Sequence, residues 1–189
     1  FAIAPLGGRV AFLVGSFLAN TLFSAPVDGS APSVLLASSV SDFWITPDAS
    51  SVVYLTWGAP DELRLVPIDG SGAGLVLDTS DYPLDSLALS ADGLRAVYVN
   101  AVCAGLDCAQ RVRSVLLDGS AAPLTLASTP LMVSGLTLTA DSSRALYLTQ
   151  GSWEPFSLHS VPLDGSAAAV DLDPLGVVGV QEVVLSPDG

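Results

Sequence analysis

An all-β fold assembled from repeated four-stranded units is what this sequence predicts, and two observations carry the prediction. The first is a recurrent strand-turn-strand segment: FWITPDASSVVYLT at 43 to 56, LALSADGLRAVYVN at 87 to 100 and LTLTADSSRALYLT at 136 to 149, with FAIAPLGGRVAFLV at 1 to 14 fitting the same frame around a degenerate turn. The second is a strand that ends in an Asp-Gly-Ser turn: LFSAPVDGS at 22 to 30, LRLVPIDGS at 63 to 71, VRSVLLDGS at 112 to 120 and LHSVPLDGS at 158 to 166. Asp48, Asp92, Asp141 and Asp188 of the first marker are 44, 49 and 47 residues apart, and Asp28, Asp69, Asp118 and Asp164 of the second are 41, 49 and 46 apart. Two markers hold one period, with the slack taken up in loops. Units of four short strands at this period are the pattern of β-propeller blades, which pack face to face around an axis.

Each strand of the unit has its own signal. Strand A alternates, as in Leu87, Ala88 and Leu89, and a tight turn leads to strand B, rich in Val, Tyr and Leu. A variable loop leads to strand C and its Asp-Gly-Ser turn, and strand D follows as GLVLD (74 to 78) or PLTLAS (123 to 128). Helical periodicity is absent. The prediction is a β-propeller segment of about four four-stranded antiparallel blades over residues 1–189, with blades near 1–40, 41–84, 85–133 and 134–178. VVLSPDG at the end reads as the first strand and turn of a fifth blade, 182–189. An open arc would leave a long strand edge and apolar blade faces uncovered, so the remaining blades are expected from a longer parent chain or from a second copy.

Composition sets outer limits on function. Half of the residues are apolar, enough for a sizeable core, while 19 acidic residues against six arginines and no lysine give a formal charge of -13. That balance repels phosphate backbones and anionic lipid, which argues against nucleic-acid partners. The apolar stretch FAIAPLGGRVAFLVGSFLA is read as blade 1 rather than as a leader or a membrane span, because Arg9, Pro5 and Gly7-Gly8 interrupt it and no basic segment precedes it. No membrane insertion is expected.

The pairing of S-P-D-G or its variants TPDAS, SADG and TADSS with the downstream Asp-Gly-Ser turn resembles the TolB-type propeller repeat. Similar repeats occur in the propellers of prolyl oligopeptidase-like enzymes and in bacterial secreted proteins. The resemblance implies blades with strand A innermost and strand D outermost. It also implies a non-catalytic ligand- or protein-binding module of a secreted, periplasmic or surface-exposed bacterial protein. Two alternatives stand beside that reading: the gating propeller of a prolyl oligopeptidase-like hydrolase, and a structural building block of an extracellular assembly.

Strand direction sorts candidate residues to two ends. Antiparallel order sends the A-B and C-D turns, with their aspartates, to one end of each blade, where Asp and Gly serve turn geometry; a carboxylate ring that captures cations is the functional alternative. The B-C and D-A loops emerge at the other end and carry Phe17, Trp57, Tyr82 and Trp153. Aromatic side chains on loops offer large contact area at small entropic cost, so these four are the expected binding residues, with capping of the blade cores as the structural alternative.

Cys103 and Cys108 flank a B-C hairpin tip with four residues between them, a spacing that suits a disulfide and an oxidising compartment. Free thiols are the alternative, whereas zinc would lack ligands, with no His or further Cys nearby. His159, the one histidine, falls at an ordinary strand C position equivalent to Phe23, Arg64 and Arg113. No nucleophile elbow accompanies it, so no catalytic residue, cofactor or metal is expected and the chain is read as a non-enzyme. GSGAG (70 to 74) aligns with the C-D turns and lacks the lysine of a phosphate loop, and Asp171 and Asp173 form only a fragment of a calcium loop.

Overall fold

The computed structural model describes residues 1–5, 7–16, 19–105, 107–151, 155–173, 180, 183, 185 and 186. Among them the regular structure is all β. The first sheet is β1 (Ala2–Ile3), β2 (Arg9–Ser16), β3 (Ala19–Pro26) and β4 (Val34–Ser38), and the second is β5 (Val40–Ile45), β6 (Ser51–Thr56), β7 (Asp61–Pro67) and β8 (Leu75–Ser80). The third is β9 (Leu84–Leu89), β10 (Arg95–Ala104), β11 (Asp107–Leu116) and β12 (Leu124–Thr129), and the fourth is β13 (Met132–Leu138), β14 (Arg144–Gln150), β15 (Ser157–Pro162) and β16 (Val170–Asp171). Every sheet is an antiparallel meander in chain order, the A-B-C-D blade of the repeat. The expected fifth-blade strand, 182–189, lies for the most part outside the described residues.

The chain divides into two compact units, Phe1–Asp81 and Tyr82–Gly189, each holding two blades. In the first unit, Ala11 and Leu22 of blade 1 pack against Val40, Val52, Tyr54 and Val66 of blade 2. In the second, Val97, Val99 and Val112 of blade 3 pack against Ala145, Tyr147 and Val161 of blade 4. The period-2 alternation of the strands explains the seam: Val52 and Tyr54 occupy the same repeat positions as Ala145 and Tyr147, and both pairs face the preceding blade.

The inner strands begin earlier than the alternation in the sequence suggests. Register shifts interrupt the A-B pairing between Val40 and Asp42, between Val97 and Val99, and between Ser134 and Thr137. Ser86 and Gly135, at φ 47° and 60°, turn the chain at the last two of these irregularities. A bulge inserts a residue and flips the faces that follow, so the first residues of β9 and β13 do not continue the apolar alternation. No helix among the described residues is long and apolar enough to cross a membrane.

Candidate functional site at the loop end of the blades

The two ends of a blade are built differently. At the turn end, one backbone frame recurs: the amide of Thr46 donates to Ser51 O and that of Ala49 to Thr46 O, and the same pair of bonds joins Ala4, Gly7 and Arg9, then Ser90, Gly93 and Arg95, then Thr139, Ser142 and Arg144. The degenerate first turn therefore has the common geometry without the common residues. Three turns add a side-chain clasp, in which Thr46, Ser90 and Thr139 each donate a hydroxyl at 2.6 Å to Asp48, Asp92 and Asp141. Those carboxylates also accept the amides of Ser50, Leu94 and Ser143.

The C-D turns repeat with equal fidelity. Gly29, Gly70, Gly119 and Gly165 sit at φ between 67° and 73°, the left-handed region open to glycine. The preceding aspartates accept the amides of Ser30, Ser71, Ser120 and Ser166 at 2.9 to 3.0 Å. Amides of Val27, Ile68, Leu117 and Leu163 donate to carbonyls at the start of strand B, which ties the C-D turn of each blade to its A-B turn. These bonds hold the carboxyls below the ordinary range: the Thr46 and Thr139 hydroxyls for Asp48 and Asp141, and the serine partners for Asp28, Asp69, Asp118 and Asp164. The aspartates are used in making turns.

A second repeated device lies just inside this end. Arg9, Arg95 and Arg144 open strand B and donate to the buried hydroxyls of Ser24, Ser114 and Ser160 on strand C, at 2.9, 3.1 and 2.6 Å. Blade 2 has Ser51 and Leu65 at the two positions. Loss of the arginine thus coincides with loss of the hydroxyl that would need it, as the cost of burying an unpaired polar group requires.

The loop end repeats less: one backbone bond recurs, from the amide after the repeat segment to the carbonyl before strand A, as Trp57 to Ser39 O in blade 2 and Ala101 to Pro83 O in blade 3. In the first unit, Trp57 is 47% exposed, its amide donating to Ser39 O at 2.8 Å, and the loop that follows is held by Asp61 accepting the amide of Gly58. In the second unit, Cys103 and Cys108 stand directly opposite each other near the tip of the β10-β11 hairpin, with Cα atoms 4.0 Å apart and the sulfurs bonded at 2.05 Å. Tyr82, half-buried, donates its hydroxyl to Cys103 O at 3.0 Å, and Gln110 Oε1 accepts the amide of Val133 at 2.6 Å. The disulfide and these two bonds brace the hairpin against the neighbouring D-A connections. Phe17 and Trp153 lie outside the described residues.

The seams between blades differ at this end. Each strand B aromatic faces a strand C partner: Phe12 opposite Phe23, Tyr54 opposite Arg64, Tyr98 opposite Arg113 and Tyr147 opposite His159. In blade 2, Arg64 reaches back to Glu62 in an ion pair at 3.1 Å. The equivalent positions of blade 4 hold the shorter Ser157 and His159. The imidazole stacks on Tyr147 at 5.2 Å between centroids, and its Nε2 lies 2.8 Å from Thr149 Oγ1. Burial raises the Tyr147 phenol above its ordinary value. Beside this pair, against β12, is a hollow of about 530 Å³ lined by Ala127, Thr129, Tyr147, His159, Ala169 and Asp171.

Two further hollows continue from it. One of about 510 Å³ shares Ser128 and Thr129 with the first and reaches Asp107 and Cys108, and one of about 270 Å³ lies around Leu131, Met132 and Gln150. The lining residues Asp107, Ser128, Met132 and His159 were not among those expected to bind; small side chains open the hollows, and the aromatic ring that lines the first, Tyr147, belongs to strand B rather than to a loop. The turn end of the second unit also has a hollow, about 340 Å³, lined by Arg95, Arg144 and Asp164, but both guanidinium groups there are engaged by serines of their own blades.

Solved structures share this arrangement of blades. A TolB of Agrobacterium tumefaciens matches 90% of the chain at a TM-score of 0.62 and 16% identity, over 62% of its own length. The fold is that of a β-propeller segment. The propeller domain of the Trilobed protease from Pyrococcus furiosus matches 88% of the chain at 0.64 and 10% identity, and the tricorn protease matches 83% at 0.68 and 15% identity. The chain spans 62%, 54% and 17% of those three structures. No family model and no curated protein matches the chain.

Proposed function

We propose that this propeller segment is a non-catalytic binding module that uses the B-C and D-A loop end of its blades. The observation that carries the reading is the run of hollows at that end of the second unit, on a hairpin braced by Cys103–Cys108 and by Tyr82. Pre-organised walls reduce the entropy lost on binding, and a concave mixed polar and apolar lining is the usual form of a ligand site. In the first unit, the exposed Trp57 is a candidate contact of its own. The disulfide supports an oxidising compartment, and with it a secreted, periplasmic or surface location.

A second reading has a specific support, since two of the matched structures are proteases and the chain spans only part of each. On that reading the segment belongs to the propeller of a larger hydrolase, and the loop end meets its substrate or its catalytic domain. Both readings place contact at the same end. Mapping with small organic probes, indole, phenol and guanidinium, by NMR shift perturbation tests that placement. Shifts should concentrate on Ser128 to Met132, Thr149 and the Trp57 indole. Shifts concentrated on the turn aspartates would overturn it.

A further inference from the structure

We propose that the trough over the loop end of the second unit takes an extended peptide segment carrying basic side chains, a proposal that rests on the binding-module reading. Three features lead there. The hollows adjoin one another, the first sharing Ser128 and Thr129 with the second and the second sharing Pro130 with the third, so a peptide segment with side chains in successive hollows would occupy all three. The first two are lined by β12, the outermost strand of its sheet, which pairs only with β11 within that sheet. Every second peptide group of such an edge points away from its neighbour and can pair with an added strand.

The charge of the lining selects the side chains. Asp171 lines the first hollow and Asp107 the second, both exposed, and among the described residues no arginine lines any of the three. Asp171 uses Oδ1 to accept the amide of Asp173, and among the described residues its second oxygen has no partner. A chain of formal charge -13 adds a negative field that draws cations and opposes acidic peptides. Leu131 and Tyr147 in the first hollow and the 62% exposed Met132 in the third supply apolar surface for the stem of a lysine or arginine or for intervening aliphatic residues.

Three pools of capped hexapeptides test this, with Lys, Gln or Glu fixed at both ends and mixed Ala, Val, Ser and Thr between, binding being read by calorimetry and by hydrogen exchange. The Lys pool should bind about tenfold more tightly than the Gln pool, the Glu pool should bind worst, and salt should narrow the difference. Protection should appear at the amides of Leu124–Thr129. Replacing both Asp107→Asn and Asp171→Asn should bring the Lys pool down to the level of the Gln pool, with the thermal transition unchanged as evidence that the fold persists. Equal binding of all pools, or an unaffected Asn variant, overturns the charge selection. Complete competition by free spermidine would assign the site to small amines and overturn the peptide. If no pool binds while indole and phenol still map to the loop end, the peptide inference fails and the binding-module reading stands. If those probes also miss the loop end, both fail.

Discussion

The turn end and the loop end of these blades use their polar groups in different ways. At the turn end, the hydroxyl of Thr46, Ser90 or Thr139 is bonded to a carboxylate two residues on, and that carboxylate to a backbone amide two residues further, in three consecutive blades. At the loop end of the second unit, the side-chain bonds join residues far apart in sequence, Tyr82 to Cys103 and Val133 to Gln110. Repetition marks what every blade needs in order to fold. The proposed binding surface lies at the end where the blades repeat less.

The strongest way to break the contrast is to remove its covalent part. Replacing Cys103→Ser together with Cys108→Ser should cost about 2 kcal/mol, the chain-entropy expectation for so short a loop. Hydrogen exchange should quicken at the β10-β11 tip and around Cys103 O, where Tyr82 docks, while the turn amides of Ser90 to Arg95 keep their protection. Loss of protection at both ends alike would mean that the two are not separable, and the division drawn between them would fall.

Much of the architecture was legible in advance because the repeat is written in short-range chemistry. Asp-Gly-Ser needs only its own three residues to make a turn, so four copies of it located four C-D turns, and the cysteine spacing pointed to the bond that forms. What the sequence conceals is pairwise and distant. Arg9 with Ser24, Arg95 with Ser114 and Arg144 with Ser160 are visible only when blade 2, with Ser51 and Leu65, is laid beside the others. The trough was missed for a related reason: it arises from what is small at Ala127, Ser157 and Ala169. Aromatic side chains drew attention to Tyr82, whose hydroxyl is engaged in bracing the hairpin, and the strand starts at β9 and β13 were hidden by bulges.

A middle-sized effect separates the ends through one hydroxyl each. Thr46 is 4% exposed, donates to Asp48 and accepts the amide of Ser51, so Thr46→Val removes one bond to Asp48 and leaves the Ser51 amide without its acceptor, which should cost about 1 to 2 kcal/mol. Ser128→Ala, on the exposed lining of the trough, should stay within about 0.5 kcal/mol in the same thermal melts. Acid should expose the difference again. Because Asp48 titrates below its unfolded value, its stabilising contribution is complete above about pH 4 and is lost as pH falls through the folded value. Neutralising carboxylates also relieves the self-repulsion of an acidic chain, so the gap between wild type and Thr46→Val is the quantity to follow. It should shrink on acidification; a constant gap would remove Asp48 from the clasp.

The smallest effect asks whether the turn frame or its residues carry the geometry. Blades 1 and 3 place Gly7 and Gly93 at φ 70° and 72°, where blades 2 and 4 place Ala49 and Ser142 at 59° and 58°. A side chain in the left-handed region costs about 1 to 2 kcal/mol, and replacing glycine recovers about 0.4 to 1 kcal/mol by restricting the unfolded chain. Gly93→Ala should therefore lower stability by somewhat under about 1 kcal/mol, with the turn bonds of Ser90 and Arg95 intact by hydrogen exchange. If those bonds open instead, blade 3 depends on its glycine and the frame is not the common element. If they hold, the four turn ends are one structure tolerating four sequences, and the loop end is where sequence differences have room to alter binding.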